Sequence, residues 1–556
     1  MSPYYDIGHY SALYSWCLDK GRSLAESASC SSATSSANTE WKSLTTVATV
    51  SLVLSTTSYV VWRALRKQQP DSEVKLVSGG IPFIGHALEL SRDSAAFIKR
   101  CKAERGPAFR INLFGQKVYV VTGSLIPEVY TNAEWYSFRK AHETILPVQR
   151  VQEMSYEHIY KPIIAPLDKN PVIYPIQANL KPHNFHLFSK RIQDALRMAI
   201  YNHLNITKGE KKVARGYDLT SMIVSQVVCL CFAGRNAGSN QDLVKAMATF
   251  TTSVVKAGIV LSLLPDRIAE PIVKRFMSVE HEIDLVVNLL LPELEKAQAG
   301  EEEECRYFKN EPTFTSMVLD LPKASGKMHT AKEAAYYFGG AALTSIPATI
   351  QFTLFIITEL AYRPALVQEI RAEIEKLDER TPETISRIKL LDSIFREVLR
   401  YKAASLASPH TTIVEDALLS SGEIIPCGGL VFLATHESHT NQSTMQETTT
   451  LGNQTPSVPL DQFDPYRFML ADGETDNDGK LCSTTIGPEN LSFGLGKHNC
   501  PGRKFAAYKI KYIVAELFMQ FNITGVSDER PKDVEFLGTF RSPSNTPLVF
   551  ERREKQ

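Results

Sequence analysis

Apolar residues recur at three- and four-residue spacing through most of the chain beyond residue 185, and alternate with polar ones in only a few short runs. That pattern predicts a mainly α-helical fold with small β-sheets. The stretches 108–113 and 117–121 are apolar and β-branched, flank Gly115, and read as a hairpin. A long apolar helix is expected from about Ala331 to Tyr362, stopping before Pro364. Two amphipathic helices follow near 364–379 and 386–402. The second carries Ile388, Leu391, Ile394, Phe395 and Val398 along one face. Short strands are expected near 423–425 and 430–434, a polar structureless stretch over 440–460, and a last helix from about Pro501 to Phe521.

One further apolar run stands apart near the N-terminus. Residues 44–62 contain no charge and are bracketed by Lys42 and Arg63. As a helix this run spans about 28 Å, against a hydrocarbon core of about 30 Å. Its many Ser and Thr residues can hydrogen-bond their own helix backbone, which makes them tolerable in lipid. The alternative is a buried soluble helix. Arg63, Arg66 and Lys67 follow at once, so the positive-inside rule places the bulk of the chain in the cytosol. The expected organisation is a Ser-rich lumenal tail at 1–43, a single transmembrane anchor at 44–62, a linker at 63–80 and one large domain at 81–556.

Composition narrows the functional classes. Of 556 residues, 44% are hydrophobic, and 61 basic residues balance 61 acidic ones. Zero net charge argues against a nucleic-acid partner, which calls for a basic face. The nine cysteines include no C-x-x-C pair, so neither a zinc ribbon nor a disulfide scaffold is indicated.

Cys500 carries the strongest chemical signal. It lies in Phe493-Gly-Leu-Gly-Lys-His-Asn-Cys-Pro-Gly502, with glycines at 494, 496 and 502 and a helix expected to follow. Pro501 suits a first helical position, and a helix N-terminus offers partial positive charge that favours thiolate. Gly496 and Gly502 permit tight turns and the close approach of a flat ligand. A lone cysteine so placed suits haem iron, which needs a single axial thiolate from the protein. A buried structural cysteine is the alternative. A His498–Cys500 metal pair is disfavoured because no second ligand pair lies nearby.

The F-x-x-G-x-x-x-C-x-G segment resembles the haem loop of the cytochrome P-450 family, and three other motifs agree in order. Glu397-Val-Leu-Arg400 is similar to the family's E-x-x-R. Phe463-Asp-Pro-Tyr-Arg-Phe468 is similar to the meander whose arginine joins that pair. Ile81-Pro-Phe-Ile-Gly85 resembles the proline-rich hinge. The resemblance covers about 75–550 and is strongest to fungal microsomal members. It implies a cytochrome P-450 fold, so that 81–556 is a haem-binding catalytic domain. Cys500 is then the ligand of haem b, with Phe493, Gly496 and Gly502 at the cofactor. Glu397, Arg400 and Arg467 form a structural charge network, and His410 is a candidate partner of the haem propionates. Lys181 and His183 are weaker candidates, and Trp135 and Arg139 read as structural.

On the distal side the resemblance implies a small-residue pair followed by an acid and a threonine. Gly339, Gly340, Ala341 and Ala342 supply small residues that fit a helix lying close to a flat macrocycle, but no acid is present in any register. The favoured register puts Thr344 at the acid's place and Ser345 at the threonine's. The stretch 345–349 then resembles the branch of sterol 7α-hydroxylases and prostacyclin synthase, with Pro347 expected to bend the helix.

The implied activity is that of an endoplasmic-reticulum monooxygenase with a cytosolic catalytic domain. Electrons come from NADPH through cytochrome P-450 reductase, and the substrate is an apolar small molecule of fungal specialised metabolism, terpenoid, steroid-like or polyketide. Lys497, Arg503 and Lys504 would face the reductase's acidic flavin domain. Two alternatives remain at this point. One is a haem-thiolate isomerase that needs no external electrons, and the other is a non-enzymatic haem-binding protein.

Overall fold

The structure, a computed structural model, describes residues 73–160, 170–299, 313–322, 326–442, 444–445, 458–469, 479, 481–496 and 499–554. The tail at 1–43, the anchor at 44–62 and the first part of the linker lie outside the described residues. The last part of that linker proves to belong to the fold. Glu73 and Leu76 bridge to Ile424 and Arg110, and the Val74 N–H donates to the Ile424 carbonyl at 3.1 Å. The Glu73 carboxylate pairs with the Arg110 guanidinium at 2.7 Å, both largely buried. A polar composition suggested a linker, but strand pairing and a shielded ion pair fix this segment to the sheet.

The expected hairpin is present as β1 (Ala108–Leu113) and β2 (Gln116–Val121). With β3 (Tyr136–Ser137), β4 (Ala407–Thr412) and β5 (Leu430–Leu433) it forms one five-stranded sheet in the order β1-β2-β5-β4-β3. The β2–β5 pairing is parallel, so the hairpin reaches across three hundred residues of helix to meet β5. Separate clusters of buried apolar residues lie around Phe109, Ile111 and Phe432 and around Tyr119, Val121 and Val431. Neighbouring positions thus fall on opposite sides of the pleat.

The main core is helical. Its elements include α1 (His186–His203), α2 (Gly216–Ala233), α3 (Gln241–Leu263), α4 (Val279–Ala299), α5 (Ala331–Ala361), α6 (Lys389–Tyr401) and α7 (Arg503–Gln520). The axis of the fold is α5, about 46 Å long at ~1.5 Å per residue. It opens on a capping box in which Thr330 and Glu333 satisfy each other's backbone N–H groups. It closes before Pro364, which begins the next helix at its first position, Pro364–Glu375. Nearly all of α5 is buried and apolar, because α2, α4, α6 and α7 all pack against it.

Among the described residues three helices, Gly216–Ala233, Gln241–Ser262 and Ala331–Ala361, are long and apolar enough to cross a membrane. Most of their surface is buried within the protein, so packing accounts for their hydropathy. Near the end of α5, the buried Glu359 meets Lys402 at 2.7 Å and Arg530 at 2.8 Å, and Lys402 also meets Asp533 at 2.9 Å. That network ties α5 to the residue after α6 and to the C-terminal segment.

Two sequence expectations shift in detail. The helix expected over 386–402 is α6, starting at Lys389 after a separate short helix Pro382–Ile385, and the helix expected to 379 stops at Glu375. The cause is local: Thr381 and Thr384 build a separate capping box. The run Gly339–Ala342 was expected to admit a flat macrocycle. Gly339 instead serves helix packing, because a Cβ there would lie 2.7 Å from Ile283 Cδ1 of α4.

Candidate functional site

The cysteine loop is shaped by its glycines. Gly494 and Gly496 have φ of +74° and +58°, a region that disfavours any side chain. The turn they allow lets the Cys500 N–H donate to the Phe493 carbonyl at 2.7 Å. Asn499 Nδ2 donates to the Gly496 carbonyl at 2.6 Å. Gly502 caps α7, whose first turn lies immediately behind the sulfur. Arg503 donates from Nε to the Thr484 carbonyl at 3.1 Å, and from Nη1 to Asn499 Oδ1 at 2.8 Å and the Cys500 carbonyl at 3.1 Å. Of the three basic residues expected at a docking face, one thus also braces the loop. Arg503 is consumed in holding the loop, Lys504 is exposed, and Lys497 lies outside the described residues.

Behind the loop stands the charge network. Arg400 grips Glu397 with two bonds of 2.7 Å, one from Nε and one from Nη2, and both residues are buried. Arg467 Nε reaches the same carboxylate at 3.3 Å, and the Asp464 N–H donates to it at 2.8 Å. The outer nitrogens of the two arginines donate to the carbonyls of Val458, Pro459, Leu460 and Gln462. One buried carboxylate thus organises the whole meander.

Sequence reasoning missed the element that joins this network to the cysteine loop. His439 Nε2 accepts the Leu491 N–H at 2.8 Å, so Nδ1 carries the proton and donates it to the Arg400 carbonyl at 3.2 Å. Complete burial lowers its pKa to about 3, which keeps the ring neutral and this tautomer in place. Ser492 Oγ adds a bond to the Leu399 carbonyl at 2.6 Å. No motif flags His439, although its place near the meander is a weak hint.

Cys500, Phe493, Gly502, Thr344 and Ser345 line one cavity, with about 90 Å³ open to the centres of water-sized molecules, together with Ala348, Thr349, Phe352, Phe505 and Lys509. The sequence-predicted ligand and the sequence-predicted distal hydroxyls are therefore brought together, 155 residues apart in the chain. Gly496 shapes the loop without lining the cavity. His410 does not line it either: it sits in β4, its Nδ1 2.8 Å from the Ser408 carbonyl, with its ring against Tyr130 and Phe138. Lys181 and His183 are exposed around a 3₁₀ turn, Pro182–Asn184. Arg139 bonds Gln149 at 2.8 Å, in keeping with a structural role.

On the distal wall the two hydroxyls differ. Thr344 Oγ1 donates to the Ala341 carbonyl at 2.6 Å, which commits its proton to the helix. Ser345 Oγ accepts from Lys509 Nζ at 3.1 Å, which leaves its own proton to donate. Lys509 extends from α7 and is buried, with the Phe505 ring 5.7 Å away. Burial lowers its pKa to about 8, partly opposed by the Cys231 and Cys500 thiols. α5 continues as one helix through Pro347, whose missing N–H leaves the Leu343 carbonyl without its helical donor.

These residues fit a haem. The cavity wall is largely aromatic and aliphatic, with one cysteine outside any disulfide. Among the described residues no group of three or more His, Cys, Asp or Glu could hold a bare metal ion. A centre that brings four ligands of its own and takes one from the protein matches that donor set. A Cβ at Gly502 would meet nothing within 4 Å, so there is open space beside the loop.

The fold and the cysteine loop together define a haem-thiolate monooxygenase fold. The cytochrome P-450 profile matches residues 77–549, and the chain belongs to that family of oxidoreductases. Cytochrome P-450 monooxygenase 71 of Postia placenta is 25% identical over 91% of this chain and 97% of its own. The cytochrome P-450 monooxygenase ausR of Penicillium brasilianum is 27% identical over 61% of this chain and 65% of its own. The crystallised haem domain of another family member superposes with a TM-score of 0.65, at 14% identity, over 87% of this chain and 98% of that one. A retinoic-acid-bound cyanobacterial member gives 0.61 at 18% identity, over 86% of this chain and 99% of that one.

Proposed function

We propose that this protein is a membrane-anchored monooxygenase that oxidises an apolar small molecule, with haem b held by the Cys500 thiolate. The observation that carries the reading is the single cavity shared by Cys500 and the hydroxyls of α5. When bound, haem supplies dioxygen activation, using two electrons that originate in NADPH and arrive through a reductase. Cys500 holds the iron, and its loop is kept rigid by Arg503, His439 and the Glu397 network. Phe493, Phe352 and Phe505 exclude water and present apolar surface to the ring and the substrate. Ser345 offers a proton at the distal wall and Thr344 offers an acceptor, so together they orient a water there.

The anchor at 44–62, the endoplasmic reticulum and a cytosolic catalytic domain remain part of this proposal, resting on the charge pattern of that segment. A terpenoid, steroid-like or polyketide substrate is supported by likeness to fungal monooxygenases. The distal likeness to the sterol 7α-hydroxylase and prostacyclin synthase branch rests on residues 345–349 alone. His410, in β4, is proposed to serve the propionates, on the family resemblance alone.

The test is reconstitution with reductase, NADPH and ¹⁸O-labelled dioxygen on a substrate found by its shift of the haem spectrum. One labelled atom per product is expected. Product formed without electrons or peroxide would establish the isomerase alternative, which the lack of an acid beside Thr344 and Ser345 makes chemically reasonable.

A further inference from the structure

We infer that Lys509 is the positioning residue of the distal wall: its amine fixes the Ser345 hydroxyl so that the serine proton points into the cavity. The inference rests on the haem-thiolate reading above. A lysine buried in an apolar wall is costly unless its hydrogen bonds are made, and the side-chain partner found for this one is a neutral hydroxyl. Such an arrangement weakens the fold, so it marks a position kept for its effect on the site.

The geometry explains the effect. A lysine ammonium has donors only, so Ser345 must act as the acceptor in the bond at 3.1 Å. Once a lone pair of Oγ is engaged, the Ser345 O–H is turned away from Nζ. A serine lacks the γ-methyl that restricts a threonine rotamer, so an external clamp does for Ser345 what branching does for threonine. The donor comes from α7, the same helix that begins behind Cys500. One helix therefore sets both the sulfur and the distal hydroxyl, and its displacement would move both. Sequence reading found no acid over 338–349, the stretch of α5 that bears Thr344 and Ser345. The charged group that the wall does possess lies on another helix, 164 residues away.

The test compares the full-length haem protein with its Lys509→Met, Lys509→Arg and Ser345→Ala variants. The readout is the infrared C–O stretch of the ferrous carbon monoxide complex, which senses charge and hydrogen bonds near the bound diatomic. Lys509→Met and Ser345→Ala should each shift the band, the double variant should shift it no further, and Lys509→Arg should restore part of the original position. Product formed per NADPH should fall about tenfold in Lys509→Met, less than the hundredfold or more expected if lysine itself transferred the proton. An unchanged C–O stretch in both single variants would overturn the inference while leaving the haem reading intact. Should Lys509→Met fail to fold, Ser345→Ala alone decides: no shift refutes the clamp. Failure of the underlying reading is distinguishable, because the wild-type carbonyl complex would then lack the red-shifted Soret band of thiolate ligation.

Discussion

The two walls of the cavity are built on different physical principles. The wall behind Cys500 is a chain of short, fully paired polar contacts: Glu397 to Arg400 and Arg467, Arg400 to His439, His439 to Leu491, and the loop to Arg503. The wall on α5 is apolar, with the hydroxyls of Thr344, Ser345 and Thr349 and one lysine that arrives from α7. The first wall must hold one geometry through every turnover, and a network with every member paired does that. The second must leave polar groups available to a reacting molecule, so its groups are sparsely paired. Damage to the first wall should therefore cost folding and haem retention, and damage to the second should cost chemistry alone.

The largest effect separating the walls is expected at Cys500. Cys500→Ala should abolish the red-shifted carbonyl Soret band altogether, whereas Ser345→Ala should leave the band in place. Retention of that band in Cys500→Ala would overturn the ligand assignment.

Glu397→Gln comes next. It leaves two arginines buried without their carboxylate, at a cost of about 3–5 kcal/mol. Urea denaturation should show that loss together with poor haem retention. A fully loaded, normally stable Glu397→Gln protein would break the contrast between the walls.

Acid should also act on the paired wall first. The pKa values of His439 and the neighbouring His436 are lowered by burial to about 3, below the ~6.5 of an unfolded chain. Between those values the unfolded state binds the extra proton, so stability is complete above about pH 6.5 and is lost as pH falls towards 3. At pH 5 each ring should cost about 2 kcal/mol relative to pH 7. Thermal denaturation should show a falling Tm over that range. His439→Leu, less stable at pH 7, should show a smaller fall, and an identical pH dependence would refute the role of this ring.

The smallest effect is expected where α5 packs away from the site. Gly339→Ala would press a methyl against the tip of Ile283 but gain about 1 kcal/mol of helix propensity, so the net change should stay within about 1–2 kcal/mol. Ile283→Val should relieve the variant. A large loss of coupling between NADPH and product would instead mean that Gly339 faces the reaction.

The contrast between the walls also explains what could be read in advance. The cysteine loop was legible because its glycines, cysteine and following helix are contiguous, so their chemistry is local. E-x-x-R and the meander arginine were legible for the same reason, each being a short run with a fixed order. The span of α5 was legible because a capping threonine and a following proline mark its ends. Gly339 was misread because a small residue looks the same whether it admits a ligand or a neighbouring helix. Residues 73–77 were taken for linker because a shielded ion pair such as Glu73 with Arg110 looks solvent-loving until its partner is placed.

By itself, then, the sequence determined the helical class, the family, the candidate sulfur ligand and the motifs that build the carboxylate network, each of them a short run of neighbouring residues. Tertiary structure decided what Ser345 and His439 do. Each takes its role from a partner 52 or more residues away, Lys509 for the serine and Leu491 for the histidine. A hydrogen bond acts over about 3 Å whatever the separation along the chain, so only the folded packing of α5 on α7, and of the short helix Thr435–Thr440 against the turn at Leu491, could bring those pairs together.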